Sequence, residues 1–357
     1  MNKVKMIIDN NVVLNNIEEF KLGNSALIVT GKNSAKKSGA LDDVLNVLDK
    51  LSINYLIYDG ITQNPSITSC MEAGKLGKDL DYVIGVGGGS PLDAAKAIAI
   101  FMANSNLSED DFYNKNWKVV KDIILIGTTA GTGSEVTKVS VLTDTKGKKH
   151  SIHDDLIYAE VSLGDPKYTL SLSKEFTVST GIDAIAHATE SYFSNSANDE
   201  SRTYSIKAIN LMYNDLIYLL DHDDLSQEQR SNLYKGSIEA GYAIDITGTT
   251  FAHNVGYYLT EQYHLSHGFA SAIFLDDVLT YQKKNNNSYF NQFIKDINMS
   301  EEEFLKLYQL IPNFNIKFSE EELKNILPRW DNNNSVKKTY GNMTVKDIEE
   351  ILTKKFM

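Results

Sequence analysis

The first half of the chain alternates short β-branched runs with helical patterns, and this alternation limits the possible folds more than any other feature. Four runs have the composition of buried strands: Ala26–Thr30, Tyr55–Tyr58, Tyr82–Val86 and Ile123–Thr128. Helical patterns such as Ala40–Leu51 and Pro91–Met102 separate them. Such alternation is typical of βαβ units, in which helices cover both faces of a parallel sheet. We therefore predict an α/β domain with a parallel sheet.

The second half has a different pattern, because apolar residues recur there at helical spacing, as in Ser201–Leu220 and Gln227–Asp245. A chain of 357 residues also exceeds the size at which one hydrophobic core stops growing. Asp165-Pro166 is a plausible boundary, since proline disfavours helix at its predecessor and helix-capping residues follow in Ser171–Phe176. We predict an α/β domain over residues 1–165 and an all-helical domain over residues 166–357.

The net charge and the cysteine content of the chain limit the kinds of partner and the cellular environment that we expect. A net charge of −12 repels nucleic acids and anionic membranes, so neither is expected as a partner. The single cysteine, Cys70, excludes an intramolecular disulfide, and the sequence contains no long apolar run and no secretory signal. We expect a cytoplasmic protein that acts on small molecules.

A glycine cluster, Gly87–Gly89, lies between a predicted strand and a predicted helix that begins at Pro91. Free N–H groups at a helix N-terminus attract a pyrophosphate, and the absence of side chains lets the anion approach. The spacing departs from the usual G-x-G-x-x-G fingerprint, because Ser90 stands where the third glycine belongs when counted from Gly85. A tight turn without a ligand is the alternative interpretation.

A second loop of small residues, Gly127–Glu135, follows the strand pattern Ile123–Ile126. Ligands of open α/β sheets collect at the carboxyl ends of the strands, so both loops are predicted to face one dinucleotide. The alternative is that the serine and threonine side chains only cap local helices. The first strand ends at Gly31-Lys32, where no carboxylate is present to repel the extra phosphate of NADP. This arrangement permits NADP(H) as well as NAD(H).

Asp183 and His187 are four residues apart and would lie on one helical face. On these two residues alone, a capping aspartate or a hydrogen-bonded core histidine is the better interpretation. His253 and His267 are fourteen residues apart, about 21 Å along a straight helix, so the chain must turn between them if both bind one ion. We place that turn in the segment Thr260–His264.

Three imidazoles and one carboxylate would suit Fe²⁺ or Zn²⁺, whereas Ca²⁺ and Mg²⁺ prefer oxygen ligands. His264 is the main alternative to His267, being only three residues away. The histidines without comparable context are interpreted as surface residues or as neighbours of the ligands: His150, His153, His222 and His264.

Several ordered motifs resemble the iron-containing (group III) alcohol dehydrogenases over nearly the whole chain. They are Gly87-Gly-Gly-Ser90 with Asp93, Thr128–Val136, Asp165-Pro166, Asp183-Ala-Ile-Ala-His187-Ala-Thr-Glu190, Ala252-His253 and Ser266-His267-Gly268. The resemblance implies an N-terminal dinucleotide-binding α/β domain with a parallel sheet, an all-α C-terminal domain, and a metal in the cleft between them. It also implies a homodimer.

The resemblance implies the following site residues. The metal ligands are Asp183, His187, His253 and His267, for Fe²⁺ or alternatively Zn²⁺. The cofactor-binding residues that it implies are Gly88, Gly89, Ser90, Asp93, Thr128, Thr129 and Thr132, together with Asn64 in a turn similar to one of the family. We also predict that Gly31, Lys32, Gly87, Ser134 and Lys149 bind the cofactor. The catalytic residues are His267, through the metal, and Tyr257. Many members of the family carry a histidine where this chain has Tyr257, which is either a proton relay or a pocket wall.

The implied reaction is the reversible NAD(P)H-linked reduction of a small aldehyde to a primary alcohol. The segments Lys148–Ser151 and Ala252–Thr260 are most similar to phosphonoacetaldehyde reductases, and Lys148 or Lys149 would supply a cation for a phosphonate. A solvated hairpin tip is the alternative for these lysines, and it is favoured for Lys148.

Other functions remain open on the sequence. A general short-chain alcohol dehydrogenase or a 4-hydroxybutyrate-type dehydrogenase would use the same residues. A lyase of the dehydroquinate-synthase type would share the architecture. A non-catalytic nucleotide-binding protein is the alternative from another functional class.

Overall fold

A computed structural model describes residues 4–357. Its strands are β1 (Lys5–Ile8), β2 (Ser25–Gly31), β3 (Asn54–Ile61), β4 (Tyr82–Gly87), β5 (Asp122–Gly127), β6 (Val139–Thr143), β7 (Lys149–His153) and β8 (Val161–Gly164). The helices of the first half are α1 (Val12–Asn15), α2 (Ser34–Lys37), α3 (Ala40–Lys50), α4 (Ile67–Leu76), α5 (Gly89–Ala103) and α6 (Glu109–Tyr113). Those of the second half are α7 (Lys174–Tyr192), α8 (Asp199–Tyr218), α9 (Gln227–Thr247), α10 (Phe251–Tyr263), α11 (His267–Ala272), α12 (Leu275–Asn285), α13 (Asn287–Ile297), α14 (Glu301–Leu305), α15 (Glu320–Ile326), α16 (Asn334–Lys337) and α17 (Val345–Phe356).

Six strands form one sheet in the order β1-β8-β5-β4-β2-β3, and every pairing in it is parallel. The predicted parallel α/β domain is therefore confirmed. Side chains of β4 alternate between two hydrophobic cores, with Tyr82, Ile84 and Val86 in one and Val83 in the other. Both faces of the sheet are thus covered, as expected of a parallel sheet.

The prediction that Tyr55–Tyr58 is a buried strand was wrong in its burial. The strand exists as β3, but Tyr55, Leu56 and Ile57 are exposed. The reason is topological, since β3 is the edge strand of the sheet and pairs only with β2 in the described chain. Composition reports the tendency to form a strand, whereas burial depends on the position of the strand in the sheet.

The helix that follows the glycine cluster begins at Gly89, two residues before the predicted start at Pro91. Its first turn therefore includes Pro91 as the third residue, a position that needs no intrahelical N–H partner. Most of the helix is buried, including the entire segment Ala94–Met102. A helix so fully enclosed holds the preceding glycine turn at a defined place beside the sheet.

Three neighbouring strands end with a glycine, and these glycines lie side by side at the carboxyl-terminal ends of the strands. Gly87 of β4 is paired with Gly127 of β5, and Val86 is paired with Thr30, which precedes Gly31 at the end of β2. The two predicted cofactor loops, which follow β4 and β5, therefore begin next to the end of β2, where the ribose was predicted to bind. The small sheet formed by β6 and β7 is a separate antiparallel hairpin.

Two compact units divide the chain. The first contains the described residues through Ser173 together with Ser226–Ile238, and the second contains Lys174–Leu225 and Glu239–Met357. In the second unit the regular structure is helical, as predicted for that half of the chain. The domain boundary predicted at residues 165/166 remains a prediction. Among residues 4–357, no helix combines the length and the apolar character needed to cross a membrane.

Candidate metal centre

Asp183 and His187 lie one turn apart on α7, and both side chains are buried. A carboxylate and an imidazole four residues apart share one face of a helix. Neither residue is near the helix start, so the capping role that the pair alone favoured for Asp183 does not apply. The pair instead faces two further helices of the same unit.

The other two histidines come from α10 and α11, which a sharp turn separates. His253 is in the first turn of α10, and α11 begins at His267. The turn lies at His264, which adopts a left-handed conformation with φ of 57° and ends α10. The segment Thr260–Tyr263 is still part of α10. The observed turn therefore begins only at His264, later than the predicted segment Thr260–His264.

Gly268 allows α11 to pack closely against α7. A Cβ atom at this position would lie 1.9 Å from the backbone oxygen of Ser179 and 3.1 Å from Cβ of Asp183. No side chain fits there, because real contacts to a backbone oxygen are never so short. The glycine therefore brings its neighbour His267 next to Asp183.

The four predicted ligands converge. One donor atom each from Asp183, His187 and His253 lies within 4.8 Å of the others. Nε2 of His253 is 3.3 Å and Nε2 of His267 is 4.0 Å from Oδ1 of Asp183. The side chain of His267 is 28% exposed, whereas those of Asp183 and His253 are at most 3% exposed. The cluster is therefore closed on the Asp183 side and accessible beside His267.

The electrostatics of the cluster suit a divalent cation. Burial by itself would raise the pKa of Asp183, but His187, His267 and His253 outweigh it and hold that pKa well below its usual range. Burial would lower the pKa of His253, whereas Glu190 and Asp183 raise it to about 9. Three nitrogen donors around one carboxylate oxygen are a ligand set for Fe²⁺ or Zn²⁺. The residues present therefore fit the metal that the resemblance implies.

Glu190 is the residue of this centre to which the motif alone assigned no role. It lies seven residues after Asp183 on the same helix, is fully buried, and its Oε2 contacts Nδ1 of His253. The sequence could have indicated this role of Glu190 through its spacing. Glu190 follows His187 by three residues and Asp183 by seven, which places all three on one helical face.

Tyr257 lies next to the centre. Its ring is stacked with that of His267 at a centroid distance of 5.6 Å and an angle of 19°. The side chain is partly exposed. Its position agrees with either predicted role, as proton relay or as pocket wall. The remaining histidines are exposed: His150, His153, His222 and His264.

The predicted cofactor loops pack against each other in the first unit. A Cβ atom on Gly88 would lie 2.9 Å from Cγ2 of Thr129, and one on Gly89 would lie 2.6 Å from Cγ2 of Thr132. Gly87 has a φ of 152°, which side chains rarely tolerate. Ser90 follows in the first turn of α5, where N–H groups are free to bind an anion. The glycines thus let the two loops pack closely, and the first turn of α5 offers N–H donors to a phosphate.

Thr128 adds a further indication of a ligand in these loops. Its amide donates to the backbone oxygen of Gly87 at 2.9 Å, which ties the two loops together. Its hydroxyl is buried and has no hydrogen-bond partner within residues 4–357. A buried hydroxyl is rarely left in that state, and a bound dinucleotide would provide a partner. The two loops therefore fit the implied cofactor.

Asp93 and Ser134, two further predicted cofactor residues, are hydrogen-bonded to each other. Oδ1 of Asp93 accepts from the Ser134 hydroxyl at 2.6 Å, and Oδ2 accepts from the amide of Val141 at 3.0 Å. The buried Lys96 donates to the backbone oxygen of Ser134 at 2.7 Å and lies 4.0 Å from Oδ1 of Asp93. Burial raises the pKa of Asp93, and Lys96 opposes this shift. These contacts hold the Thr128–Ser134 loop against α5.

The other predicted cofactor residues also belong to the first unit. Gly31 ends β2, and Lys32 after it is exposed. Asn64 has a left-handed φ of 56°, and its backbone oxygen accepts from the Thr143 hydroxyl. Thr143 pairs with Lys149 across the β6–β7 hairpin, so Asn64 and Lys149 approach the same strand end. Lys148 is exposed in the hairpin turn, in agreement with the interpretation favoured for it.

Comparison with known proteins gives a consistent result for both halves of the chain. The family model described as iron-containing alcohol dehydrogenase matches residues 4–166, and that described as Fe-containing alcohol dehydrogenase family, C-terminal, matches residues 177–356. The chain is 33% identical to long-chain-alcohol dehydrogenase 1 of Geobacillus thermodenitrificans, over 75% of this chain and 69% of that protein. It is 28% identical to the NADPH-dependent butanol dehydrogenase of Clostridium saccharobutylicum, over 83% of this chain and 78% of that protein.

Comparison with solved structures indicates the same family. The crystal structure of an iron-containing alcohol dehydrogenase from Thermotoga maritima superposes with a TM-score of 0.91 at 34% identity, over 99% of this chain and 98% of that one. The fold and the two family matches together define an alcohol dehydrogenase of the iron-containing type. The chain belongs to the iron-containing alcohol dehydrogenase family and is an oxidoreductase.

Proposed function

We propose that this protein catalyses the reversible NAD(P)H-linked reduction of a small aldehyde to a primary alcohol at a divalent metal. The observation that carries the proposal is the convergence of donor atoms from Asp183, His187 and His253 within 4.8 Å, with His267 beside them. In the balanced reaction, the aldehyde takes up one hydride and one proton, and the alcohol and the oxidised nicotinamide leave.

The metal would be held by the side chains of Asp183, His187, His253 and His267. When bound, Fe²⁺ or alternatively Zn²⁺ would supply Lewis-acid polarisation of a carbonyl group. The buried ligands Asp183 and His253 exclude water from one side of the site. The partly exposed His267 leaves an approach for the substrate on the other side.

The nicotinamide cofactor would be held by the loops Gly87–Ser90 and Thr128–Ser134, and it would supply the hydride. The first turn of α5 offers N–H groups to the pyrophosphate. Either NAD(H) or NADP(H) is proposed, since Gly31 presents no carboxylate to the ribose, and the Clostridium saccharobutylicum relative is described as NADPH-dependent.

Tyr257 is the side chain proposed to deliver the proton. Its ring stacks with that of the proposed ligand His267, whose side chain is the partly exposed one of the centre. The phenol would give its proton to the nascent alcohol oxygen and recover one from water. A role as pocket wall is the alternative, and substitution by phenylalanine separates the two.

Phosphonoacetaldehyde is the particular substrate that we propose. Its support is the similarity of Lys148–Ser151 and Ala252–Thr260 to reductases of that aldehyde, together with a cation at Lys149. A general short-chain alcohol dehydrogenase remains the alternative. We also retain the expectations of a homodimer and of a cytoplasmic location.

One experiment tests the reaction. Purified apo-protein is reconstituted with Fe²⁺ or Zn²⁺, and oxidation of NADH and NADPH is followed with a panel of aldehydes that includes phosphonoacetaldehyde and butanal. We expect metal-dependent consumption of one cofactor with stoichiometric formation of alcohol. Metal-independent turnover, or no turnover with any aldehyde of the panel, would contradict the proposal. Turnover of butanal but not of phosphonoacetaldehyde would reject only the phosphonate substrate.

A further inference from the structure

Glu190 lies where one carboxylate contacts both a helix end and a proposed metal ligand. It is three residues after His187 and seven after Asp183 on α7, and its side chain is 0% exposed. A fully buried carboxylate is costly unless hydrogen bonds satisfy it. Both of its oxygens have partners, and the two sets of partners differ in kind.

The first oxygen of Glu190 caps a helix. Oε1 accepts from the amides of Ala252 at 2.7 Å, Thr250 at 3.2 Å and His253 at 3.3 Å, and from the Thr250 hydroxyl at 2.8 Å. These amides belong to the start of α10, and the hydroxyl of Thr250 makes no capping bond to the helix within the described chain. A carboxylate from another helix thus satisfies N–H groups that would otherwise lack partners.

The second oxygen of Glu190 contacts a ring nitrogen. Oε2 faces Nδ1 of His253 on the side of the ring away from Asp183. The other nitrogen, Nε2, is 3.3 Å from Oδ1 of Asp183, within the predicted metal centre. An ionised carboxylate can only accept hydrogen bonds, so the proton between Glu190 and His253 belongs to Nδ1. The lone pair of a neutral His253 is then at Nε2, where a metal would bind.

We propose that Glu190 is a positioning residue that fixes the Nδ1–H tautomer and the ring orientation of His253, so that Nε2 is presented to a divalent metal. The inference rests on the proposed function in that it requires a metal at the centre. The same carboxylate holds the start of α10, so the backbone and the ring of His253 are placed by one group. Such partners of metal-bound histidines orient the ring and raise its affinity for the metal.

The test compares two variants that disturb different oxygens of Glu190. Glu190→Gln keeps the size and leaves a carbonyl oxygen able to cap α10, but its amide group opposes an N–H at Nδ1 of His253. Thr250→Val removes one donor to Oε1 and leaves the contact of Oε2 with His253 intact. The dissociation constant for Zn²⁺ is measured by competition with a chromophoric chelator, and the melting temperature of each apo-protein is recorded.

We expect Glu190→Gln to bind Zn²⁺ about 10- to 100-fold more weakly than wild type, and Thr250→Val to stay within about threefold of it. A purely structural cap predicts something different, namely that both variants lower the apo melting temperature and change the affinity by similar small factors. Equal affinity of Glu190→Gln and wild type would overturn the proposal. Wild type that binds no divalent metal would overturn the proposed function as well, so the two failures are distinguishable.

A second measurement uses wild type alone and decides the matter if Glu190→Gln does not fold. The protein is labelled with ¹⁵N-histidine and loaded with Zn²⁺, and long-range ¹⁵N–¹H correlations report which nitrogen of each bound ring carries a proton. We expect one zinc-bound ring with a protonated Nδ1 whose proton is shifted downfield by a carboxylate. Zinc bound through Nδ1 of every bound ring would reject the inference.

Discussion

Nε2 of His253 lies 3.3 Å from Oδ1 of Asp183, although 70 residues separate them in the sequence. The contact joins α7 to α10, and His267 at the start of α11 adds a second imidazole 4.0 Å from the same oxygen. A donor atom of His187 lies within 4.8 Å of those of Asp183 and His253. Asp183 is therefore the common neighbour of the three histidines, and the predictions for the metal centre begin with it.

Replacing Asp183 by asparagine should abolish metal binding. The amide keeps the shape but loses the negative charge that three imidazoles surround, so the metal content of the purified protein should fall to near background together with turnover. His267→Ala should have the same effect. Metal analysis by mass spectrometry checks this, with His222→Ala, an exposed histidine, as the control. An active variant without metal would contradict the ligand assignment.

Gly268→Ala should destabilise the protein. The new Cβ would meet the backbone oxygen of Ser179 at 1.9 Å, and backbone yields less readily than a flexible side chain. We expect a loss of about 1–3 kcal/mol in the free energy of unfolding, with weaker metal binding because α11 carries His267. Urea denaturation measures the loss. Gln262→Ala, an exposed position on α10, should change stability by less than about 0.5 kcal/mol.

Gly89→Ala should weaken cofactor binding. Its Cβ would lie 2.6 Å from Cγ2 of Thr132, so the loop must shift away from α5. We expect the Kd for the nicotinamide cofactor, measured by fluorescence titration, to rise at least about tenfold, which corresponds to about 1.4 kcal/mol. The double variant with Thr132→Ser removes that methyl group and should recover part of the loss. An unchanged Kd in the single variant would exclude this turn as the pyrophosphate site.

Tyr257→Phe separates proton delivery from packing. If the phenol relays the proton, kcat should fall about 10²-fold or more, metal content should stay unchanged, and the pH profile of kcat should lose one titration. If the ring only forms a pocket wall, the variant should resemble wild type in kcat and pH profile. Steady-state kinetics of the reconstituted enzyme between pH 6 and about 10 distinguish the two.

Asp81→Asn should reduce stability at neutral pH and leave it unchanged in acid. Hydrogen bonds from the amide of Asn24 and from Ser25 to Oδ2 of Asp81 hold its pKa below the usual range. A depressed pKa stabilises the fold above the unfolded-state pKa, and this contribution disappears as the pH falls through the folded-state pKa. The side chain is exposed, so about 1 kcal/mol or less is expected.

Thermal denaturation of the Asp81→Asn protein and wild type at several pH values checks this. The melting temperatures should differ at pH 7 and converge below about pH 3. Asp79→Asn, at an exposed position two residues earlier, is the matched control. A difference that persists unchanged into acid would show that charge is not the cause.

Much of the first unit could be predicted because its determinants are local. Runs such as Tyr82–Val86 and the glycine cluster after it depend on residues close in sequence, and β4 and α5 were found with boundaries off by one or two residues. The burial of Tyr55–Tyr58 could not be predicted, because the position of β3 at the sheet edge depends on the pairing of all six strands. No local pattern contains that information.

The metal centre shows the same division. The sequence by itself determined the kinds of ligand and, through motif spacing, the four residues that resemble a family's metal site. Only the tertiary structure decided that Gly268 admits α11 to α7, that His264 ends α10, and that Glu190 holds Nδ1 of His253. The physical reason is that donor atoms must meet within a few ångströms. Helix packing brings together residues that are far apart in the sequence, and the pattern along one helix cannot specify its partner.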